Sequence, residues 1–206
     1  MQGHIPDSLR KKTPQAAGSI ILVLAAVLFL SLINVGCAEK GPVRIGFAGQ
    51  ISGQKAASST EGRNGSLLAV EEANEEGGVN GRPIELLIRD DEGDRRKAKE
   101  VARELHEAGV RAIIGHTTSS TSAASIDYIK EVELPMLSPT ATAEKLKGHD
   151  DYFFTFLSGN AKLARKAAMF ARNELSLSKI SSIVDLSNEA YTSDYASSFI
   201  RVFERN

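Results

Sequence analysis

Two clusters of hydroxyl side chains are the residues of this sequence best suited to chemistry. The run GHTTSST at 115–121 ends a predicted strand and opens a predicted helix, and SPTAT at 138–142 follows the next strand. Ligands of open α/β sheets bind at the carboxyl ends of the strands, where these two runs lie. A helix N-terminus with added hydroxyl donors can hold a carboxylate without a basic side chain. The alternative, that Ser120 or Thr121 only caps the helix, stays open.

Catalysis is the competing interpretation of the same residues. Ser119 and His116 would be the nucleophile and base of an exported hydrolase, but the sequence has no G-x-S-x-G motif and no evident orienting acid. We therefore predict that the protein is not an enzyme and that His116 is structural. The loop GQISGQK at 49–55 has the wrong spacing for a phosphate-binding loop, so no nucleotide cofactor is expected.

No metal site is predicted either. The four histidines are scattered along the chain, and the acidic run at 90–94 lacks the alternating spacing of a calcium loop. We interpret that run as a solvated turn followed by a helix cap at Asp94.

Charge and cysteine content exclude further classes of function. Lys and Arg number 25 against 26 Asp and Glu, which gives a net charge of -1. This balance lacks the basic surface that binding to nucleic acid requires, so nucleic acid is not an expected partner. The single cysteine, Cys37, excludes an internal disulfide framework and a cysteine-based zinc site.

The N-terminal segment has the pattern of an export signal. Basic residues at 10–12 precede an unbroken apolar run at 20–30, which is short for a membrane-spanning helix. The following NVGC at 34–37 resembles the lipobox of bacterial lipoproteins. We predict a signal peptide over 1–36, lipidation of Cys37 and a tether over 37–41. An uncleaved signal anchor over 18–35 is the alternative, and both interpretations place the remainder outside the cytoplasm.

The chain beyond residue 41 alternates predicted strands and helices. Strands are expected at 43–48, 84–88, 112–115 and 136–138, with helices between them, a pattern typical of a parallel sheet with right-handed crossovers. We expect the first helix to bury Leu67, Val70 and Ala73, and the second to bury Ala98, Val101, Ala102 and Leu105.

Further elements follow the fourth strand. An extended apolar stretch at 152–157 leads to a helix for which Asn160 is the predicted cap, and a strand at 180–185 and a last helix follow. A boundary near 157–159 divides an N-terminal lobe at 42–157 from the start of a second lobe at 158–206.

Five segments, in order, resemble one known family. VRIGFAGQISG, AVEEANEEGGVNGRPIEL, RDDEGD, IIGHTTSST and LPMLSPTAT are similar to segments of the type I periplasmic solute-binding proteins, in the branched-chain amino-acid group that serves ABC importers. The resemblance covers residues 42–206. It implies a type I lobe with a parallel sheet flanked by helices, an incomplete second α/β lobe, closure of two lobes on a solute, and no catalysis.

The resemblance also implies site residues. Ser119 and Thr142 match residues that bind the carboxylate and ammonium of an amino acid, Thr140 and Ala141 match backbone contacts between them, and Tyr191 matches an aromatic residue that closes over the ligand. Ser58 stands where amino-acid binders have an aromatic residue, which weakens an expectation of leucine-type specificity.

The partners implied are a small amino-acid-like solute, the membrane subunits of an importer, and the membrane itself through a lipid anchor. Family members are about twice this length, so we expect the chain to be a fragment. A ligand-sensing ectodomain of a signalling receptor is the alternative function.

Overall fold

In the part of the chain that the structure describes, five parallel strands form a single sheet in the order β2-β1-β3-β4-β5. They are β1 (Val43–Gly49), β2 (Ile84–Asp90), β3 (Ile113–Ile114), β4 (Met136–Ser138) and β5 (Phe153–Thr155). In the register, Ile113 pairs with Gly46 on one side and with Met136 on the other. The parallel arrangement predicted from the alternation of strands and helices is therefore confirmed, and the stretch at 152–157 supplies the fifth strand.

Five helices accompany the sheet in this computed structural model, which describes residues 41–53, 56–149 and 151–205. They are α1 (Ala56–Glu75), α2 (Arg95–Glu107), α3 (Ser119–Glu131), α4 (Asn160–Asn173) and α5 (Glu189–Arg205), with short 3-10 helices at Glu144–Leu146 and Leu186–Asn188. Residues 41–206 belong to one compact unit. The division between 157 and 158 stays a prediction.

Helix α2 shows how local sequence determines an element. Its predicted stripe of Ala98, Val101, Ala102 and Leu105 is buried, as the 3.6-residue spacing requires. Asp94 begins the helix, because its carboxylate accepts hydrogen bonds from the backbone N–H groups of residues 96 and 97. These two bonds lower the pKa of Asp94 below its usual value.

Helix α1 contradicts one sequence expectation. Leu67 is 42 % exposed, and Val70 and Ala73 are only partly buried. Ser59 is the buried residue of this helix. The predicted stripe was wrong because α1 packs against the edge strand β2, whose residues are themselves all partly exposed.

Two expectations in the last third of the chain are also wrong. Residues 180–185 form no strand, because the described part of the chain offers no strand that pairs with them, and Ile183 is fully exposed. Asn160 does not cap α4. Gly159 occupies the cap position, and Asn160 is the first helical residue, with its side chain buried.

The predicted signal peptide, Cys37 and most of the tether lie outside the described residues. Within the described ranges, no helix is both long enough and apolar enough to cross a membrane.

Candidate functional site

The two hydroxyl-rich loops meet at the carboxyl ends of β3 and β4, as the sheet order requires. The Ser138 hydroxyl donates to the carbonyl oxygen of His116 at 2.6 Å. The Thr140 hydroxyl donates to the carbonyl oxygen of Thr117 at 2.7 Å. The prediction that these loops share one sheet edge is therefore confirmed, and hydrogen bonds hold them together.

Ser119 links the start of α3 to the second loop. Its Oγ accepts hydrogen bonds from the backbone N–H groups of Thr142, at 3.1 Å, and Ala143, at 3.3 Å. The side chain is buried. Because a hydroxyl has two acceptor lone pairs and one hydrogen, Ser119 retains a hydrogen that can be donated to a third group.

Thr142 and Ala141 are buried beside Ser119, with different hydrogen bonding. The Ala141 N–H donates to Ser138 Oγ, and the Ala141 carbonyl oxygen accepts from the Thr155 hydroxyl at 2.9 Å. Thr142 Oγ1 is buried and has no hydrogen-bond partner among the described residues. Native structures leave few buried polar atoms unpaired, so Thr142 Oγ1 is open to a further hydrogen-bond partner.

Helix α3 begins differently from the sequence expectation. Its cap is Thr118, whose Oγ1 accepts from the Thr121 N–H at 3.2 Å, rather than Ser120 or Thr121. The Ser120 N–H donates to Asn188 Oδ1 at 3.1 Å. Two of the N–H groups predicted to face a carboxylate therefore already have acceptors within the protein.

A segment at 186–194 covers this edge of the sheet. The Ala190 N–H donates to Ser120 Oγ at 3.0 Å, and the Glu144 N–H donates to Asp194 Oδ2 at 3.0 Å. An exposed ion pair between Arg95 and Glu189 adds a contact to α2. Exposed pairs of this kind contribute little to stability, so the part-buried hydrogen bonds of Ser120 and Glu144 matter more for this cover than the ion pair does.

The remaining predicted site residues, Thr140, Ser58 and Tyr191, are not buried as Ser119 and Thr142 are. Thr140 and Ser58 are exposed. The ring of Tyr191 packs against that of Tyr195 and borders a cavity of about 330 Å³ whose lining, within 180–200, contains neither Ser119 nor Thr142. Ser59, the neighbour of Ser58, contacts the first loop through its hydroxyl, 2.7 Å from Thr117 Oγ1.

Three buried side chains that the sequence did not bring together form a chain of hydrogen bonds. His116 Nδ1 lies 2.6 Å from Asp91 Oδ2, and His116 Nε2 lies 2.9 Å from Ser125 Oγ. All three side chains are inaccessible to solvent. Asp91 is therefore not part of a solvated turn, and that interpretation of the acidic run was wrong for this residue.

This chain of hydrogen bonds corrects one premise of the hydrolase alternative. An orienting acid for His116 does exist, but the histidine contacts Ser125 rather than Ser119. Ser119 Oγ instead accepts from the second loop. The sequence does place Asp91 at the end of one strand and His116 at the end of a later strand. Sequence spacing alone, however, does not show that these two side chains form a hydrogen bond.

Comparison with known proteins identifies similar chains. A family model described as "Periplasmic binding protein" matches residues 42–206. A leucine-, isoleucine-, valine-, threonine- and alanine-binding protein of Pseudomonas aeruginosa is 35 % identical over 104 residues, which are 50 % of this chain and 28 % of the relative. A Leu/Ile/Val-binding protein of Escherichia coli K12 is 29 % identical over 124 residues, which are 60 % of this chain and 33 % of the relative.

Solved structures show the same likeness. The substrate-binding protein of a branched-chain amino acid transporter from Streptococcus pneumoniae, in complex with isoleucine, has a TM-score of 0.72 at 28 % identity. The match covers 79 % of this chain and 47 % of that protein. This chain thus spans about a third or less of these two curated relatives and about half of the solved one.

Proposed function

This chain belongs to the periplasmic binding protein family, and from that premise we propose that it is the extracytoplasmic solute-binding receptor of an ABC importer. The proposed solute is an amino acid or a similar small polar molecule, bound between two lobes without chemical change. The names of the relatives support this proposal, because they describe amino-acid-binding proteins and transporter components.

The observation that carries the proposal is the complementary hydrogen bonding of Ser119 and Thr142. Ser119 Oγ already accepts two N–H groups, so its hydroxyl has only a hydrogen to offer and suits a carboxylate. Thr142 Oγ1 has free lone pairs and suits an ammonium. Ser119 can therefore donate to the carboxylate of an α-amino acid while Thr142 accepts from its ammonium group. Both hydrogen bonds are strengthened because the solute groups are charged.

Access to these atoms requires a movement of the residues that are packed around them. Ser119 is 2 % exposed and Thr142 is 6 % exposed, so a solute cannot reach either residue in the present arrangement. The cover is attached through the Ser120 contacts with Asn188 and Ala190. Asp194, which accepts from the Glu144 N–H, and the Tyr191 carbonyl oxygen, which accepts from Asn160 Nδ2, attach it as well. We propose that it separates from the start of α3 when solute enters and returns over the bound solute, as in hinge closure.

Ser58 and Tyr191 have defined roles in this proposal. Tyr191 closes over the ligand from the second lobe once the solute is bound. Ser58 gives the site a small polar side chain in place of an aromatic wall, so the solute's own side chain is not restricted to branched aliphatic groups. Thr140 contributes through its backbone groups. Ala141 contributes through the second lone pair of its carbonyl oxygen, because its N–H already donates to Ser138 Oγ.

The proposal also includes attachment to the membrane. A signal peptide over 1–36 directs export, lipidated Cys37 anchors the protein, and the membrane subunits of the importer receive the solute. Replacement of Cys37 by serine is expected to release the protein from the membrane fraction, which fractionation of cells with labelled protein measures.

Titration calorimetry of the purified protein with a panel of amino acids tests the proposed function. We expect saturable binding of at least one α-amino acid, and Ser119→Ala is expected to weaken it. Absence of heat with every amino acid, amide and small carboxylate in the panel, from protein shown to be folded by circular dichroism, contradicts the proposal.

A further inference from the structure

Asn160 is a fully buried amide placed between two residues of the proposed site. Its backbone N–H donates to the carbonyl oxygen of Thr142 at 3.0 Å. Its side-chain Nδ2 donates to the carbonyl oxygen of Tyr191 at 3.1 Å. Its Oδ1 is buried and has no partner among the described residues. Asn160 is therefore the residue that connects the second loop to the cover.

The unpaired amide oxygen of Asn160 needs a hydrogen-bond donor. An amide oxygen can only accept a hydrogen bond, and burying it without a donor costs free energy. Among the described residues, Thr142 Oγ1 is the other buried side-chain atom left without a partner, and it belongs to the residue that Asn160 contacts through the backbone. Because Asn160 Oδ1 can only accept, a carboxylate cannot satisfy it, whereas an ammonium has hydrogens to donate both to Oδ1 and to the lone pairs of Thr142 Oγ1.

We propose that Asn160 Oδ1 and Thr142 Oγ1 together bind the ammonium group of the solute, which makes Asn160 a specificity-determining residue for primary ammonium compounds. The proposal rests on the proposed function and extends it. It assigns a ligand contact to a position for which sequence analysis predicted only a helix cap.

The electrostatic surroundings of Asn160 favour a cation. The N-terminus of α4 carries partial positive charge, which by itself opposes an ammonium. The Glu144 carboxylate lies at this helix start, where its Oε1 accepts from the Ala161 N–H at 2.9 Å. Its full negative charge exceeds the partial charge of the helix end, so a cation beside Asn160 is stabilised.

Two probes isolate the ammonium end of the solute in a calorimetric test: L-leucine, and 4-methylpentanoate, which lacks the ammonium. Asn160→Leu and Asn160→Asp both lose the Nδ2 donor to the Tyr191 carbonyl oxygen, and only Asn160→Asp keeps an acceptor at the Oδ1 position, so the difference between the two variants isolates the acceptor. We expect Asn160→Leu to weaken leucine binding about tenfold or more and to leave 4-methylpentanoate binding unchanged. Asn160→Asp is expected to raise the preference for leucine over 4-methylpentanoate. Asn173→Leu, an exposed position at the other end of α4, is the matched control.

Each outcome decides the matter. If wild-type protein binds 4-methylpentanoate as tightly as leucine, or if Asn160→Leu changes both affinities equally, the ammonium proposal is overturned while the receptor function stands. Unchanged leucine binding by Asn160→Leu shows that Oδ1 does not contact the solute, and also overturns the ammonium proposal. If Asn160→Leu does not fold, the preference shown by Asn160→Asp decides alone. If wild-type protein binds none of the probes and no panel member, the proposed function itself fails.

Discussion

The imidazole of His116 and the carboxylate of Asp91 form a buried pair, with Nδ1 and Oδ2 2.6 Å apart and neither side chain accessible to solvent. The pair joins the end of β2 to the loop after β3, across the end of the intervening strand β1. Ser125 on α3 binds the other ring nitrogen. The first loop of the proposed site is thus fixed from two sides by groups that cannot contact the solute.

Asp91→Ala is expected to lower the free energy of unfolding by about 3 kcal/mol, because it leaves a buried imidazole nitrogen without its partner. Urea denaturation followed by circular dichroism measures the change. Asp127→Ala, at an exposed position on α3, is the matched control and should leave the midpoint unchanged. Equal effects of the two substitutions would show that the pair contributes nothing to stability.

Gly115 and Gly65 should respond to alanine in opposite directions. A Cβ at Gly115 would collide with the carbonyl oxygen of Ala48 on β1, and the backbone there has a φ of +134°. Gly65 lies within α1 with open space around it. We expect Gly115→Ala to prevent stable folding and Gly65→Ala to raise the free energy of unfolding by about 0.5–1 kcal/mol. Thermal melts of both variants measure this, and stabilisation by Gly115→Ala would contradict the described backbone.

Asp94 is expected to make the stability of the protein pH-dependent at acid pH. The N–H groups of Lys97 and Arg96 hold the pKa of Asp94 below its usual value in the folded state. A carboxyl with a depressed folded-state pKa contributes stability above its unfolded-state pKa and loses it as the pH falls through the folded-state value.

Asp94→Asn should therefore be less stable than wild type near neutral pH, and the difference should vanish below the folded-state pKa. Urea midpoints of both proteins at about pH 6 and about pH 2.5 measure it. A difference that does not change with pH would show that the charge of the cap has no role.

Features of α2 that depend only on residues close together in the sequence were predicted correctly. Asp94 and the stripe of α2 depend on residues within two turns of each other, so spacing alone reveals them. The stripe of α1 failed because burial of Leu67 depends on the strand below it, and β2 lies at the sheet edge.

The site shows the same limit. The contact between the two loops could be predicted, because their strands are neighbours in the sheet. The hydrogen bond between Asp91 and His116 could not, because it joins residues 25 positions apart at the ends of two strands that are not adjacent. The contact of Asn160 with Thr142 and Tyr191 likewise needs the path of the chain beyond β5, which periodicity does not give.

Ser119→Ala and Thr142→Val should separate stability from binding. Ser119→Ala removes the acceptor of two backbone N–H groups, so we expect both the free energy of unfolding and the affinity for an α-amino acid to fall, the former by about 1–3 kcal/mol. Thr142→Val removes a buried hydroxyl that has no partner among the described residues. The protein should therefore be as stable as wild type or more stable, while amino-acid affinity falls about tenfold.

Thr142→Ser, which keeps the hydroxyl, is the control for binding. Urea denaturation and calorimetry measure the two quantities, and a Thr142→Val protein that loses stability but binds normally would show that this hydroxyl serves the fold rather than the solute.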